Sequence, residues 1–136
     1  AQQLAVIERM VRDLNLPVEI VPVATVREPD GLALSSRNRR LSAEQRRAAL
    51  AISRVLFAVK ERIAAGAVDI AELKSVALDE FAREPMLRVE YFEFVDPAEM
   101  QPVERVTAPV RVAAAVWAGA TRLIDNVLCA PPGGAR

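Results

Sequence analysis

Two adjacent hydroxyls and a guanidinium, Ser35-Ser36-Arg37, close the run Arg27-Glu28-Pro29-Asp30-Gly31-Leu32-Ala33-Leu34-Ser35-Ser36-Arg37-Asn38. They are the side chains of this sequence best suited to hold an anion. Hydroxyl and guanidinium donors bind phosphate oxygens through charge-assisted hydrogen bonds. The run also ends just ahead of a helix predicted to begin near Ser42, whose N-terminal dipole favours negative charge. Arg39, Arg40, Arg46 and Arg47 add local positive charge. A phosphate-bearing ligand is the chemistry suggested, although a plain capped, solvated loop uses the same residue types. By themselves the four added arginines read as a solvated face.

The composition narrows the alternatives. The chain has 18 basic and 18 acidic residues, so no global field draws it to nucleic acid or an anionic membrane. It has no histidine, which removes imidazole acid/base chemistry and Ser-His-Asp triads from these residues. Cys129 is the single cysteine, so neither an intrachain disulfide nor a thiolate metal site is expected; the expected metal ligands are none and the expected compartment is a reducing cytoplasm. The longest apolar stretch, residues 110–120, is interrupted by Arg111 and is too short to span a bilayer.

The elements that must position the run can be read from periodicity and caps. Leu4, Ile7, Val11 and Leu14 recur at helical spacing, and Asn15 and Pro17 stop that helix. Residues 18–26 are rich in β-branched side chains and are predicted to form a strand, with Pro22 placing it at a sheet edge. Ser42-Ala-Glu-Gln45 is a capping box; Ala49, Ile52, Leu56, Val59 and Ile63 follow on one face, up to a stop at Gly66. Asp69 and Glu72 repeat the box before the stripe Ile70, Leu73, Ala77 and Phe81, which Pro85 ends. Residues 88–95, 110–117 and 121–128 are predicted strands, the last two joined as a hairpin. Trp117 and Phe92 read as core. The fold class is therefore α+β: a helical pair over a three-stranded antiparallel sheet. Asp125 and Asn126 are expected to be structural, serving turn or strand-edge hydrogen bonds.

These residues carry a resemblance to the pantothenate synthetase (pantoate–β-alanine ligase) family, in its C-terminal part. It rests on Gln2-Gln3-Leu4, on Val26-Arg27 with Asp30-Gly31-Leu32-Ala33-Leu34-Ser35-Ser36-Arg37-Asn38, on Leu41 with Glu44-Gln45-Arg46, and on Thr121-Arg122-Leu123-Ile124-Asp125-Asn126. Their order and spacing are more specific than any one of them. The resemblance implies an AMP-forming ligase of the nucleotidyltransferase superfamily that uses ATP and Mg2+, activates pantoate as pantoyl adenylate and passes it to β-alanine. It implies that Ser35, Ser36 and Arg37 are catalytic and hold the ATP phosphates, that Val26, through its backbone, and Leu34 line the adenine site, and that Gln3 binds pantoate.

The family's His-x-Gly-His motif and the Lys-Asp pair ahead of the two glutamines have no counterpart in these residues. Residues 1–26 are thus expected to be the last helix and strand of a Rossmann-like domain, residues 27–41 a phosphate-binding loop or hinge that is mobile without ATP, residues 42–129 the C-terminal α+β domain and residues 130–136 a disordered tail. A chain of this extent is expected to be inactive alone. The expected partners are pantoate, β-alanine and ATP, with no nucleic acid and no membrane, and the expected assembly is a homodimer. The competing reading is a non-catalytic interaction or dimerisation module that pairs through residues 3–26.

Overall fold

The computed structural model describes residues 1–133. In chain order it contains helix α1 (Gln2–Asp13), a short 3-10 helix (Ser36–Arg40), helices α2 (Ala43–Ala64) and α3 (Ile70–Ala82), and strands β1 (Leu87–Val95), β2 (Val110–Ala118) and β3 (Thr121–Cys129). The strands form one antiparallel sheet in the order β1-β2-β3. Helix α2 lies against β2 and β3, α3 lies against β1, and the two helices pack on each other. The predicted α+β class is therefore the observed one.

Local chemistry accounts for each boundary. Ser42 Oγ accepts from the Gln45 amide at 3.1 Å while Gln45 Oε1 accepts from the Ser42 amide at 3.0 Å, so both halves of the capping box are present. Gly66 leaves the helix at φ +103°, the left-handed conformation that glycine adopts without a Cβ penalty. Asp69 accepts from the Glu72 amide at 3.0 Å, which caps α3 with half of the expected box. The turn between β2 and β3 passes through Gly119 at φ +58°.

The core forms where these elements meet. Ala49, Ile52, Leu56, Val59 and Ile63 of α2 and Leu73, Ala77 and Phe81 of α3 are all buried, and Ile70 packs at their margin. Phe81, Phe92 and Phe94 meet edge to face, with ring centroids 5.9 and 5.7 Å apart. On β3 the buried positions Leu123, Asp125, Val127 and Cys129 alternate with Arg122, Ile124, Asn126 and Leu128 on the open side. Val106, in the connection after β1, is also buried and bonds its amide to the Val68 carbonyl.

Two expectations are corrected. Residues 18–26 form no strand: they have no ladder partner among the described residues, and Val18, Val21, Val23 and Val26 stand exposed. A β-branched run becomes a strand only where a neighbour accepts its backbone hydrogen bonds, and propensity alone does not supply one. Trp117 is not core. It lies half-buried on the open side, its indole N–H donating to Glu90 Oε2 at 2.7 Å and the Arg88 guanidinium 5.4 Å from its ring. Phe92 is fully buried, as expected. Helix α1 touches the rest of the molecule mainly through exposed ion pairs of Arg9 and Arg12 with Glu99, and buries only Ala5. Of the predicted tail, residues 134–136 lie outside the described residues.

Candidate functional site

Residues 26–38 are shaped first by their own backbone. The Leu34 amide donates to the Val26 carbonyl at 2.9 Å, the Glu28 amide to the Leu32 carbonyl at 2.8 Å and the Gly31 amide to the Glu28 carbonyl at 2.8 Å. Gly31 sits at φ +93°, so the tight turn needs a glycine there. Leu32 follows and is buried in the core, which pins the turn from beneath.

Three side chains then tie this small hairpin to its surroundings. Arg27 forks onto Asp125 of β3, with Nη1–Oδ2 at 2.7 Å and Nη2–Oδ1 at 2.9 Å, and also donates to the Gly31 carbonyl at 3.1 Å. Its guanidinium lies 4.9 Å from the Phe57 ring of α2. Arg46 of α2 reaches Glu28 at 2.6 Å and Asp30 at 2.7 Å. Its hydrogen bond, with a second from Asn38, holds the Glu28 carboxyl below the usual carboxylate range. Desolvation pushes the Asp30 carboxyl up, but the bonds from Arg46 and the Leu32 amide outweigh it and leave it lowered. Buried Asn38 donates to Glu28 at 2.6 Å and to the Ala33 carbonyl at 3.0 Å; its Oδ1 has no hydrogen-bond partner among the described residues. Arg46, read from the sequence as part of a solvated face, is in fact a tie within the loop.

Past this hairpin the chain enters the 3-10 helix. Ser35 caps it, its hydroxyl accepting from the Arg37 amide at 3.2 Å. The hydroxyl and guanidinium groups therefore form the cap and first residues of this short helix and do not stand at the start of α2. Leu34, Ser35 and Arg37 line one cleft of about 350 Å³ whose far wall is Arg122, Ile124 and Asp125 of β3. Arg37 is exposed and its Nη1 stands 3.4 Å from the Arg122 carbonyl. Ser36 is exposed and does not line the cleft. Val26 joins the group by its backbone bond to Leu34, and both side chains are solvent-facing. Gln3, exposed in the first turn of α1, lines a neighbouring cleft of about 600 Å³ with Tyr91, Arg122 and Asn126. Arg122, Ile124 and Asp125 border both clefts, so β3 separates the Gln3 side from the Ser35–Arg37 side.

The arrangement suits an elongated polyanion: hydroxyl and guanidinium donors at one end, exposed apolar surface from Val26 and Leu34 at the other. Among the described residues no three His, Cys, Asp or Glu side chains are grouped to hold a metal ion, and no helix is long and apolar enough to cross a membrane. The sequence missed the parts of the site that act in pairs. Asp125 sits on the buried side of β3 between Leu123 and Val127, and an acidic residue at such a position signals a buried partner. The periodicity gives the signal but not the partner.

The family model for pantoate-beta-alanine ligase matches residues 1–128. The chain belongs to the pantoate–β-alanine ligase family. Among the members of this family, the pantothenate synthetase of Moorella thermoacetica is 47% identical over 127 residues, covering 93% of this chain and 45% of the relative. That of Heliobacterium modesticaldum is 48% identical over 128 residues, covering 94% and 46%. The crystal structure of the Thermus thermophilus pantothenate synthetase superposes with a TM-score of 0.85 at 43% identity, covering 93% of this chain and 45% of that one. The ligase from Francisella tularensis, described in complex with β-γ ATP and β-alanine, superposes at 0.60 with 25% identity, covering 93% and 40%. The chain thus spans a little under half the length of the pantoate–β-alanine ligases it matches.

Proposed function

We propose that this chain supplies the phosphate-binding side of an ATP-dependent ligase that condenses pantoate with β-alanine. The observation that carries this reading is the convergence of Leu34, Ser35 and Arg37 on one cleft against β3, in a chain of this family. In the first step the pantoate carboxylate attacks the α-phosphate of ATP, and pyrophosphate leaves with the electrons of the broken P–O bond. The β-alanine amine then attacks the acyl carbon and AMP departs. Activation is required because a free carboxylate is a poor electrophile.

Charge accumulates on the departing pyrophosphate, and groups preorganised around it lower the barrier without having to reorient. Arg37 supplies a permanent positive charge and Ser35 a hydroxyl donor in the cleft, while Ser36, exposed beside the cleft, would donate to a phosphate group that projects from it. The exposed surface of Leu34 and the backbone of Val26 take the adenine, and Gln3 hydrogen-bonds pantoate from the adjoining cleft. Mg2+ bound to the ATP phosphates would neutralise part of their charge; the donor set here suits phosphate oxygens and leaves the ion to the nucleotide. In this scheme residues 27–41 form a hinge loop between the domain of residues 42–129 and a Rossmann-like nucleotidyltransferase domain, to which residues 1–26 belong. The protein would act in the cytoplasm.

Full-length protein carrying this chain should exchange labelled pyrophosphate into ATP only when pantoate is present. Arg37→Ala should slow that exchange by about 10²–10³-fold, the usual cost of removing one charge-stabilising donor. Exchange that ignores pantoate would refute the assignment. A polypeptide limited to these 136 residues should form no pantothenate, since the histidines and lysine of the family motifs have no counterpart in it. One observation favours a second reading. Leu14, Leu16, Val18, Val21, Val23 and Val26 leave an exposed apolar tract, which pairing with a second copy would cover. Light scattering decides it: a monomer at all concentrations argues against a module or homodimer built on this tract.

A further inference from the structure

We propose that Asp125 is a positioning residue for the phosphate loop, fixing Ser35 and Arg37 against β3 through its fork with Arg27, although it need not touch the nucleotide itself. This rests on the ligase reading given above. Three features make the Arg27–Asp125 pair the master tie of the loop. It joins residues 98 apart in sequence, linking the stem of the hairpin to the middle of β3. Its geometry is bidentate, which fixes orientation as well as distance. The same guanidinium also donates to the Gly31 carbonyl and lies over Phe57, so a single side chain holds the turn, the strand and helix α2 together. The Asp125 side chain is only 3% exposed, so no solvent competes strongly for the carboxylate.

Arg27 stands in the stem of the hairpin, bridged to Ala33, and Ser35 and Arg37 continue directly from that stem along the cleft whose opposite wall includes Asp125. A stem released from β3 lets the residues that continue from it drift, and misplacement of reacting groups by about 1 Å from a remote change can cost about 10²-fold in rate. The other ties, Arg46 with Glu28 and Asp30 and Asn38 with Ala33, bind the loop to α2 and to itself. Neither reaches the sheet. Arg37 does reach the Arg122 carbonyl, but through a long, exposed contact of 3.4 Å. The Arg27–Asp125 pair is therefore the strong bond that sets the distance between the loop and the β3 wall of the cleft.

The test uses full-length protein and two variants, Asp125→Asn, which keeps the shape and removes the charge, and Arg27→Lys, which keeps the charge and removes the fork. Single-turnover formation of the acyl adenylate should slow by about 10–100-fold in Asp125→Asn and by less in Arg27→Lys, with KM for ATP raised and KM for pantoate unchanged. Amide exchange at residues 31–38 should quicken by about tenfold or more while that of α2 and β2 stays as in the parent. A merely structural role would instead scale the active fraction and leave both KM values and the local exchange pattern alone. Parent-like adenylation and loop exchange in both variants would overturn the proposal, as would uniform loss of protection across the domain. A parent protein that forms no adenylate would refute the ligase reading and the catalytic half of the proposal together. Localised loop exchange in that case would still establish Asp125 as the anchor.

Discussion

At the residue scale the open side of the sheet holds a surface network whose pH response can be stated with its sign. Glu90 accepts from Arg122 at 2.8 and 2.9 Å and from the Trp117 indole at 2.7 Å. Arg122 first, and then Trp117, hold its carboxyl at about 2, below its ordinary 4.5. A carboxyl depressed in the folded state adds stability that is fully present above its unfolded value and is lost as pH falls through the folded one. The stabilisation from Glu90 should therefore be constant above about pH 5 and vanish toward pH 2. Urea midpoints for the parent and Glu90→Gln, followed across that window, should differ at neutral pH and converge in acid. Salt should shrink the difference at every pH, because the group is exposed. A gap that stays constant down to pH 2 would show that the lost contact is packing and not charge. Glu90 occupies this place because β1 shifts register between Val89 and Tyr91, an irregularity that no alternation in the sequence announces.

At the scale of elements, the turn between β2 and β3 is coupled to the start of α2. A Cβ on Gly119 would collide with the carboxamide of Gln45, whose Oε1 closes the Ser42 capping box. Gln45 can swing away, but only by giving up that hydrogen bond. Gly119→Ala should therefore cost about 1.5–4 kcal/mol, the sum of left-handed backbone strain and a weakened cap. The same change in a Gln45→Ala background should cost measurably less, and equal losses in the two backgrounds would separate the turn from the cap. Each partner was legible in the sequence, Gly119 as a turn residue and Gln45 as the third position of a capping box; their contact was not. The distinction is general for this chain. Caps and stripes depend on residues three or four apart, so Ser42, Gly66, Asp69 and the buried face from Ala49 to Ile63 could be read directly. The Arg27–Asp125 fork spans 98 residues, and no local rule reaches that far. Residues 18–26 failed for the complementary reason: a strand is a relation between two segments, and no second segment among the described residues pairs with this one.

At the scale of the whole molecule, stability and the proposed ligand contacts are unevenly divided along the chain. The core cluster begins at Leu32 and draws on every helix and strand from α2 onward, whereas before it only Ala5 is buried. Helix α1 is joined to the remainder through exposed pairs of Arg9 and Arg12 with Glu99, and such pairs contribute about 0–1 kcal/mol. A polypeptide beginning at Arg27 should therefore unfold cooperatively, with a midpoint within about 8 °C of the 136-residue chain, because about 1 kcal/mol moves a domain of this size by about 4–8 °C. It should also be more soluble, since the exposed valines of residues 18–26 leave with the deleted segment. A midpoint lowered by about 10 °C or more would mean that α1 contributes to the core energy, against its exposure. The division has a functional side as well. Gln3 lies on the weakly attached helix and Ser35 and Arg37 on the firmly tied loop, so truncation should remove the Gln3 wall of one cleft and leave the other intact. Binding of inorganic pyrophosphate to the shortened polypeptide, compared with binding to its Arg37→Ala variant, tests the proposed phosphate-holding cleft by itself. Retention of an Arg37-dependent component would place that capacity in residues 27–136 alone, and its loss on truncation would show that residues 1–26 help to form it.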